Sequence, residues 1–301
     1  MRVPDAIRDC AAYIYADPMG HGDRPEATAF FVSVPPETPE RPDHIYLVTV
    51  RHALGPPNLS LRFNNRQGTA QFERLPNASQ WYCHQDEGVD IAALLLDEQY
   101  GWLGNVSYEP IPISKFNRDT TYDAVGIGDE LLITGLFVSQ PGQTRNIPIV
   151  RSGIIAAMPE EELRDVCPDG TESQPYIAYL AELRSTGGLS GSPVFVVIGP
   201  ARMVELNSNT PWEVAAGVGM ISFSLLGLIR GHWYQPTSIT SRGNNAMYDS
   251  QAEGVNRGIA KVTPARFLEE LLTDKQAKNE REKRDEKRPP SARPPRQAPQ
   301  P

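Results

Sequence analysis

Hydrophobic positions in this chain come in short runs rich in β-branched and aromatic side chains, punctuated by Gly, Pro, Asn and Asp. That pattern predicts strands rather than helices. In the first half the runs fall at 10–15, 28–34, 44–50, 59–63, 70–75 and 91–96, enough for one six-stranded barrel. A stretch near 101–125, with Pro110, Pro112 and the polar run Asn117 to Thr121, reads as a linker. A second set follows at 130–137, 147–156, 176–183, 193–198, 214–223 and 225–230. The expected fold class is all-β: two six-stranded antiparallel barrels, at about 10–100 and about 125–262, with a cleft between them. Closed antiparallel barrels leave no unpaired strand edges, which suits a chain of many short strands.

The pattern changes after Ile259 to Pro264. Residues 264–273 read as a helix with Thr263 as N-cap and Pro264 in its first turn. Phe267, Leu268, Leu271 and Leu272 share one face, so the helix is expected to pack on the second barrel. The folded domain is thus expected to span 1–273. Residues 274–301 alternate charges and then turn Pro- and Arg-rich, with almost nothing apolar to bury. They read as a disordered tail, or alternatively as a docking segment for a regulatory partner. The Gly-, Asn- and Ser-rich segment 231–257 reads as a surface loop or as a cover for the cleft.

Composition narrows the function classes. A length of 301 residues allows one or two ordinary domains, and a net charge of −8 points away from nucleic-acid binding. No window approaches the ~20 apolar residues of a membrane helix. Met1 to Asp9 contains no apolar signal core. The three cysteines, Cys10, Cys83 and Cys167, are too few for a disulfide-stapled secreted domain. These features lead to an expectation of the cytoplasm. Cys83 and His84 form one isolated pair without zinc-ligand spacing, so neither metal nor cofactor is expected.

Three segments carry candidate chemistry. Gly187-Gly188-Leu189-Ser190-Gly191-Ser192-Pro193-Val194-Phe195 puts a serine in a glycine-flanked turn before an apolar strand. A serine hydroxyl needs a base and oxyanion donors to act as a nucleophile, and glycines let the backbone approach a carbonyl closely. His52 follows the strand that ends in Thr49, and an imidazole suits a general base. Asp90 opens the apolar run Ile91 to Leu96, where a carboxylate is costly without a hydrogen-bond partner. Singly, each has a plain alternative: a glycine-rich turn, a histidine at a strand end, a capping aspartate.

Together, in the order His52, Asp90, Ser190, they resemble the chymotrypsin-like (trypsin-fold) serine peptidases. Thr49-Val50-Arg51-His52 is similar to that family's Thr-Ala-Ala-His, and Asp90-Ile91-Ala92-Ala93-Leu94 to its Asp-Ile-Ala-Leu-Leu. Gly188-Leu189-Ser190-Gly191-Ser192-Pro193 is similar to its Gly-Asp-Ser-Gly-Gly-Pro, with wording nearest the bacterial V8-like glutamyl endopeptidases. The resemblance covers roughly residues 10–273. It implies a serine endopeptidase in which His52 is the base, Asp90 orients it and Ser190 forms the acyl-enzyme. The backbone N–H groups of Gly188 and Ser190 would form the oxyanion hole. Arg184, six residues before the serine, would lie at the base of the specificity pocket and favour an acidic side chain, with Arg230 and His232 lining the same pocket. Leu189 departs from the family, whose aspartate at that position binds a released N-terminal amine in zymogens. Leucine predicts no such activation and a loop held by packing. The expected partner is a protein or peptide substrate. The alternatives are a catalytically silent barrel serving as a binding or regulatory module, and an esterase using the same three residues.

Overall fold

A computed structural model of the chain describes residues 2–16, 24–38, 41–96, 100–117, 125–165, 171–184, 187–199, 213–216, 219–235 and 255–287. A short helix, α1 (Asp5–Asp9), precedes eight strands: β1 (Ala11–Ala16), β2 (Arg24–Val34), β3 (His44–Thr49), β4 (Leu59–Asn64), β5 (Ala70–Arg74), β6 (Tyr82–Cys83), β7 (Ala92–Leu96) and β8 (Ile111–Pro112). They form one sheet in the order β5-β4-β1-β2-β3-β7-β6, with β8 pairing parallel to β2. The second half contains β9 (Glu130–Gly135), β10 (Ile149–Ala157), β11 (Tyr179–Glu182), β12 (Pro193–Ile198), β13 (Glu213–Ala216), β14 (Gly219–Gln235) and β15 (Val255–Pro264). Their order is β12-β9-β10-β11-β15-β14, and β12 pairs β14 to close a six-stranded barrel. β13 extends β14 as a hairpin arm.

The chain is therefore mostly β with one closed barrel, and the first sheet corrects the expectation of two. Among the described residues it is open, because its end strands β5 and β6 do not pair. β6 is two residues long and offers no ladder for β5 to join. The second set also differs in detail. The runs at 214–223 and 225–230 are not two separate strands: β14 passes through both and continues to Gln235, absorbing bulges at Ile229/Gly231 and His232/Tyr234. β15, the partner of both β14 and β11, has no counterpart among the runs that hydropathy marks. The ends of the segment 231–257 thus belong to strands, while its middle, 236–254, lies outside the described residues.

Strand periodicity explains why the runs are apolar throughout. On β9 and β12, Leu131, Ile133, Val194 and Val196 fill the barrel interior. The intervening Leu132 and Phe195 join the larger core shared with the first sheet. Successive side chains point to opposite faces, so a strand with cores on both sides must be continuously apolar. The larger core also takes in Phe223 and Leu225 of β14, and so the two sheets share one apolar body.

Two helices follow β15, α2 (Ala265–Thr273) and α3 (Lys275–Lys287). α2 buries Leu268, Leu271 and Leu272 as the apolar face predicts, and Phe267 packs partly buried against the same core. Full burial of a leucine stabilises by roughly 2 kcal/mol. Its capping differs: Pro264 is the N-cap residue and gives no side-chain hydrogen bond, and the Thr263 hydroxyl is buried without a partner.

α3 corrects the expected disordered tail over 275–287. It has no apolar stripe, yet Ala277, Arg281 and Asp285 are buried. Arg281 donates to the Tyr46 hydroxyl at 3.0 Å and to the Leu272 carbonyl at 2.6 Å. Asp285 lies 3.1 Å from His44 Nε2 on β3, at ion-pair distance. Polar anchors hold this helix, and hydropathy does not register them. Residues 288–301 lie outside the described residues. Among the described residues no helix is long and apolar enough to cross a membrane.

Candidate active site

His52 and Asp90 are 38 positions apart in sequence, and the β3–β7 ladder brings them together. Thr49, the last residue of β3, pairs with Ala92, the first of β7. In an antiparallel pair the chain beyond one strand end runs beside the chain before the other. His52, three residues past Thr49 in the 3-10 turn Arg51–Leu54, therefore meets Asp90, two residues before Ala92. Its Nδ1 is 2.6 Å from Asp90 Oδ2, and its backbone N–H donates to Asp90 Oδ1 at 3.0 Å.

This double contact fixes the chemistry of the ring. An ionised carboxylate only accepts hydrogen bonds, so the proton sits on Nδ1 and Nε2 of the neutral imidazole keeps its lone pair. Burial by itself would raise the Asp90 carboxyl. The hydrogen bonds from the His52 ring and amide, with the charge of Arg230 and that of the His52 ring once it is protonated, outweigh it and hold the carboxyl below the usual range. Asp90 is nearly buried, whereas 53% of the His52 side chain is exposed. The imidazole is open to solvent and the carboxylate that holds it is not.

Ser190 lies in the turn between β11 and β12. Gly188 and Gly191, on either side, have φ of +90° and +81°, which side-chain-bearing residues rarely adopt. The turn is held from both halves of the molecule. The Thr28 amide on β2 donates to the Ser190 carbonyl at 2.9 Å, and the Thr28 hydroxyl donates to the Gly188 carbonyl at 2.7 Å. The same hydroxyl accepts from the Leu136 amide at 2.9 Å. From the barrel side, the Gly191 amide donates to the Ile229 carbonyl at 2.8 Å, and Leu189 is fully buried in the barrel core. Thr49 Oγ donates to the Thr28 carbonyl at 2.8 Å, tying the turn's support to the end of β3 just before His52. A Cβ on Gly191 would stand 2.2 Å from the Thr28 oxygen, so only glycine fits there.

The structure thus joins His52 to Asp90 and seats the Ser190 turn on Thr28, next to Thr49. Among the described residues no hydrogen bond joins Ser190 to His52 in this conformation.

The three residues expected in a specificity pocket have separate surroundings in the structure. Arg184 is exposed and lines an open cleft of about 550 Å³ with Arg151, Ser152, Glu182, Leu183 and Gly258. Arg230 is engaged elsewhere: Nη1 donates to the Gly88 carbonyl at 2.6 Å, and the guanidinium lies 4.1 Å over the Tyr176 ring. His232 is half-buried on β14 opposite Ala260, and burial together with the Lys261 charge lowers its pKa. Among the described residues neither Arg230 nor His232 lines that cleft. No group of three His, Cys, Asp or Glu among the described residues is placed to hold a metal ion.

Sequence reasoning missed Thr28. Its signal is a hydroxyl in the run Ala27-Thr28-Ala29-Phe30-Phe31, where a buried polar group is costly unless bonded. The chain matches no protein-family model and no curated protein.

Proposed function

We propose that this chain is a serine endopeptidase of the trypsin-like kind, with the open first sheet as the counterpart of that family's first barrel. The observation that carries the reading is the His52–Asp90 pair, in which both carboxylate oxygens engage the histidine and its Nε2 is left to accept a proton. The Ser190 turn, with its two left-handed glycines, supports it. In the proposed reaction Ser190 Oγ attacks a peptide carbonyl while His52 Nε2 takes its proton, and Asp90 stabilises the imidazolium. The N–H groups of Gly188 and Ser190 receive the oxyanion. The proton then passes from His52 to the departing amine, leaving an ester on Ser190. Water, deprotonated by His52, hydrolyses that ester and restores the serine. Action in the cytoplasm is part of the proposal, supported by Cys10 and Cys83, which are both free thiols.

Cleavage of a casein-type substrate tests the reading. Ser190→Ala and His52→Ala are each expected to lower turnover by several orders of magnitude, and undiminished activity in either would overturn it. A catalytically silent binding module is the second reading, favoured by the lack, among the described residues, of a hydrogen bond between Ser190 and His52. It predicts no turnover by the wild type under any condition that leaves the protein folded.

A further inference from the structure

We propose that Arg230 is a positioning residue: reaching from β14 to the Gly88 carbonyl, it fixes the segment that carries Asp90 and thereby holds the His52 ring in one tautomer. The inference rests on the proposed use of His52 as the base.

The 86–90 segment is a tight turn wedged against the second half of the molecule. The Gly88 and Val89 amides both bond back to Asp86, at 2.8 and 3.0 Å. A Cβ at Gly88 would stand 2.1 Å from the Pro175 oxygen, so the turn touches the backbone of the β10–β11 connection directly. Arg230 spans the same junction. Its 2.6 Å bond to the Gly88 carbonyl ends two residues before Asp90. An ordinary link before β7 has thereby become a strut between the two sheets.

The guanidinium is itself held in place. It stacks on Tyr176, whose hydroxyl donates to Asp165 Oδ1 at 2.9 Å. Asp165 accepts from Lys261 Nζ at 2.8 and 2.9 Å. A continuous chain therefore runs from β15 through Lys261, Asp165, Tyr176 and Arg230 to Gly88. A planar guanidinium stacks and donates at once, which a lysine cannot fully reproduce. The Arg230 charge also favours the ionised Asp90, which as a pure acceptor keeps the proton on His52 Nδ1.

The test reads the His52 tautomer directly, by long-range proton–nitrogen NMR of the full chain at about pH 9, where imidazoles are neutral. The chain has five histidines, and His52→Ala assigns the resonance. Wild type is expected to show Nδ1 protonated. Arg230→Met is expected to mix in the Nε2-protonated form and to slow fluorophosphonate labelling of Ser190 at least about ten-fold, as small misplacements of catalytic groups do. Arg230→Lys, which keeps the charge and a donor, is expected to return both readouts most of the way. Should Arg230→Met not fold, Tyr176→Leu removes the platform beneath the arginine and is expected to mix the tautomers likewise. An unchanged tautomer in folded Arg230→Met or Tyr176→Leu overturns the proposal. The tautomer does not depend on Ser190 reacting. A shifted tautomer with an unreactive wild-type serine would leave the positioning role standing and remove the hydrolase reading alone.

Discussion

Thr28, on β2 of the open sheet, holds Ser190 of the closed barrel: its amide donates to the Ser190 carbonyl at 2.9 Å. Its hydroxyl meanwhile bridges the Gly188 carbonyl and the Leu136 amide. One buried residue thus positions both backbone groups on either side of Leu189. Thr28→Val keeps the shape and removes the hydroxyl, leaving a buried carbonyl and a buried amide unpaired. The expected loss of stability is at least about 2 kcal/mol, since each of the two orphaned buried groups costs ~1–3 kcal/mol. Thr28→Ser, which keeps the hydroxyl, should lose less. Urea unfolding of the two variants checks the order; equal stability would mean that the bridge contributes nothing.

The glycines of the Ser190 turn differ from other left-handed glycines in what surrounds them. Gly191→Ala would meet both the strain of its φ and the Thr28 oxygen at 2.2 Å. It is expected to cost at least about 2 kcal/mol. Gly68 has the same kind of φ, +80°, but a Cβ there would meet nothing within 4 Å, so Gly68→Ala should cost only about 1 kcal/mol. Comparing the two unfolding midpoints separates backbone strain from steric conflict.

The pH dependence of stability carries the signature of Asp90. Its folded pKa lies below the reference value of 3.8, so the unfolded state binds its proton first as pH falls. The contribution is therefore complete above about pH 5 and is lost as pH drops through 3.8 towards the lower folded value. The stability gap between wild type and Asp90→Asn is expected to narrow as the pH falls below about pH 4. A gap that widened as the pH fell below about pH 4 would contradict the assignment of the carboxylate as the ionised, hydrogen-bonded partner of His52.

Helix α3 is expected to depend on its polar anchors. Arg281 is almost fully buried and bonds Tyr46, Leu272 and Glu37. Arg281→Ala strands these acceptors and removes a charge close to the buried Asp285. Hydrogen exchange of residues 275–287 should accelerate at least about ten-fold, while β3 and β7 remain protected. Unchanged exchange would show that α3 needs no such anchor.

The strands with largely apolar runs, such as 44–50 and 193–198, are legible in the sequence because burial on both faces leaves few polar positions. β15 is not, because it opens on Val255-Asn256-Arg257-Gly258, and its pairing to β14 rather than its hydropathy makes it a strand. α3 is hidden for a related reason: its buried face consists of Ala277, Arg281 and Asp285, of which hydropathy reads the two charged residues as solvent-exposed. At the site, residue types and order point to His52, Asp90 and Ser190. The contact between the first two depends on the β3–β7 register, which no local pattern encodes. The family resemblance leads to an expectation of Arg230 in a substrate pocket, and only the fold reveals its bond to Gly88.

The most direct test of the central claim is labelling of the purified full chain with a fluorophosphonate probe, read by intact mass, with Ser190→Ala as control. One adduct per chain is expected in the wild type and none in Ser190→Ala. A folded wild type that takes up no probe, or an adduct that persists in Ser190→Ala, would contradict it.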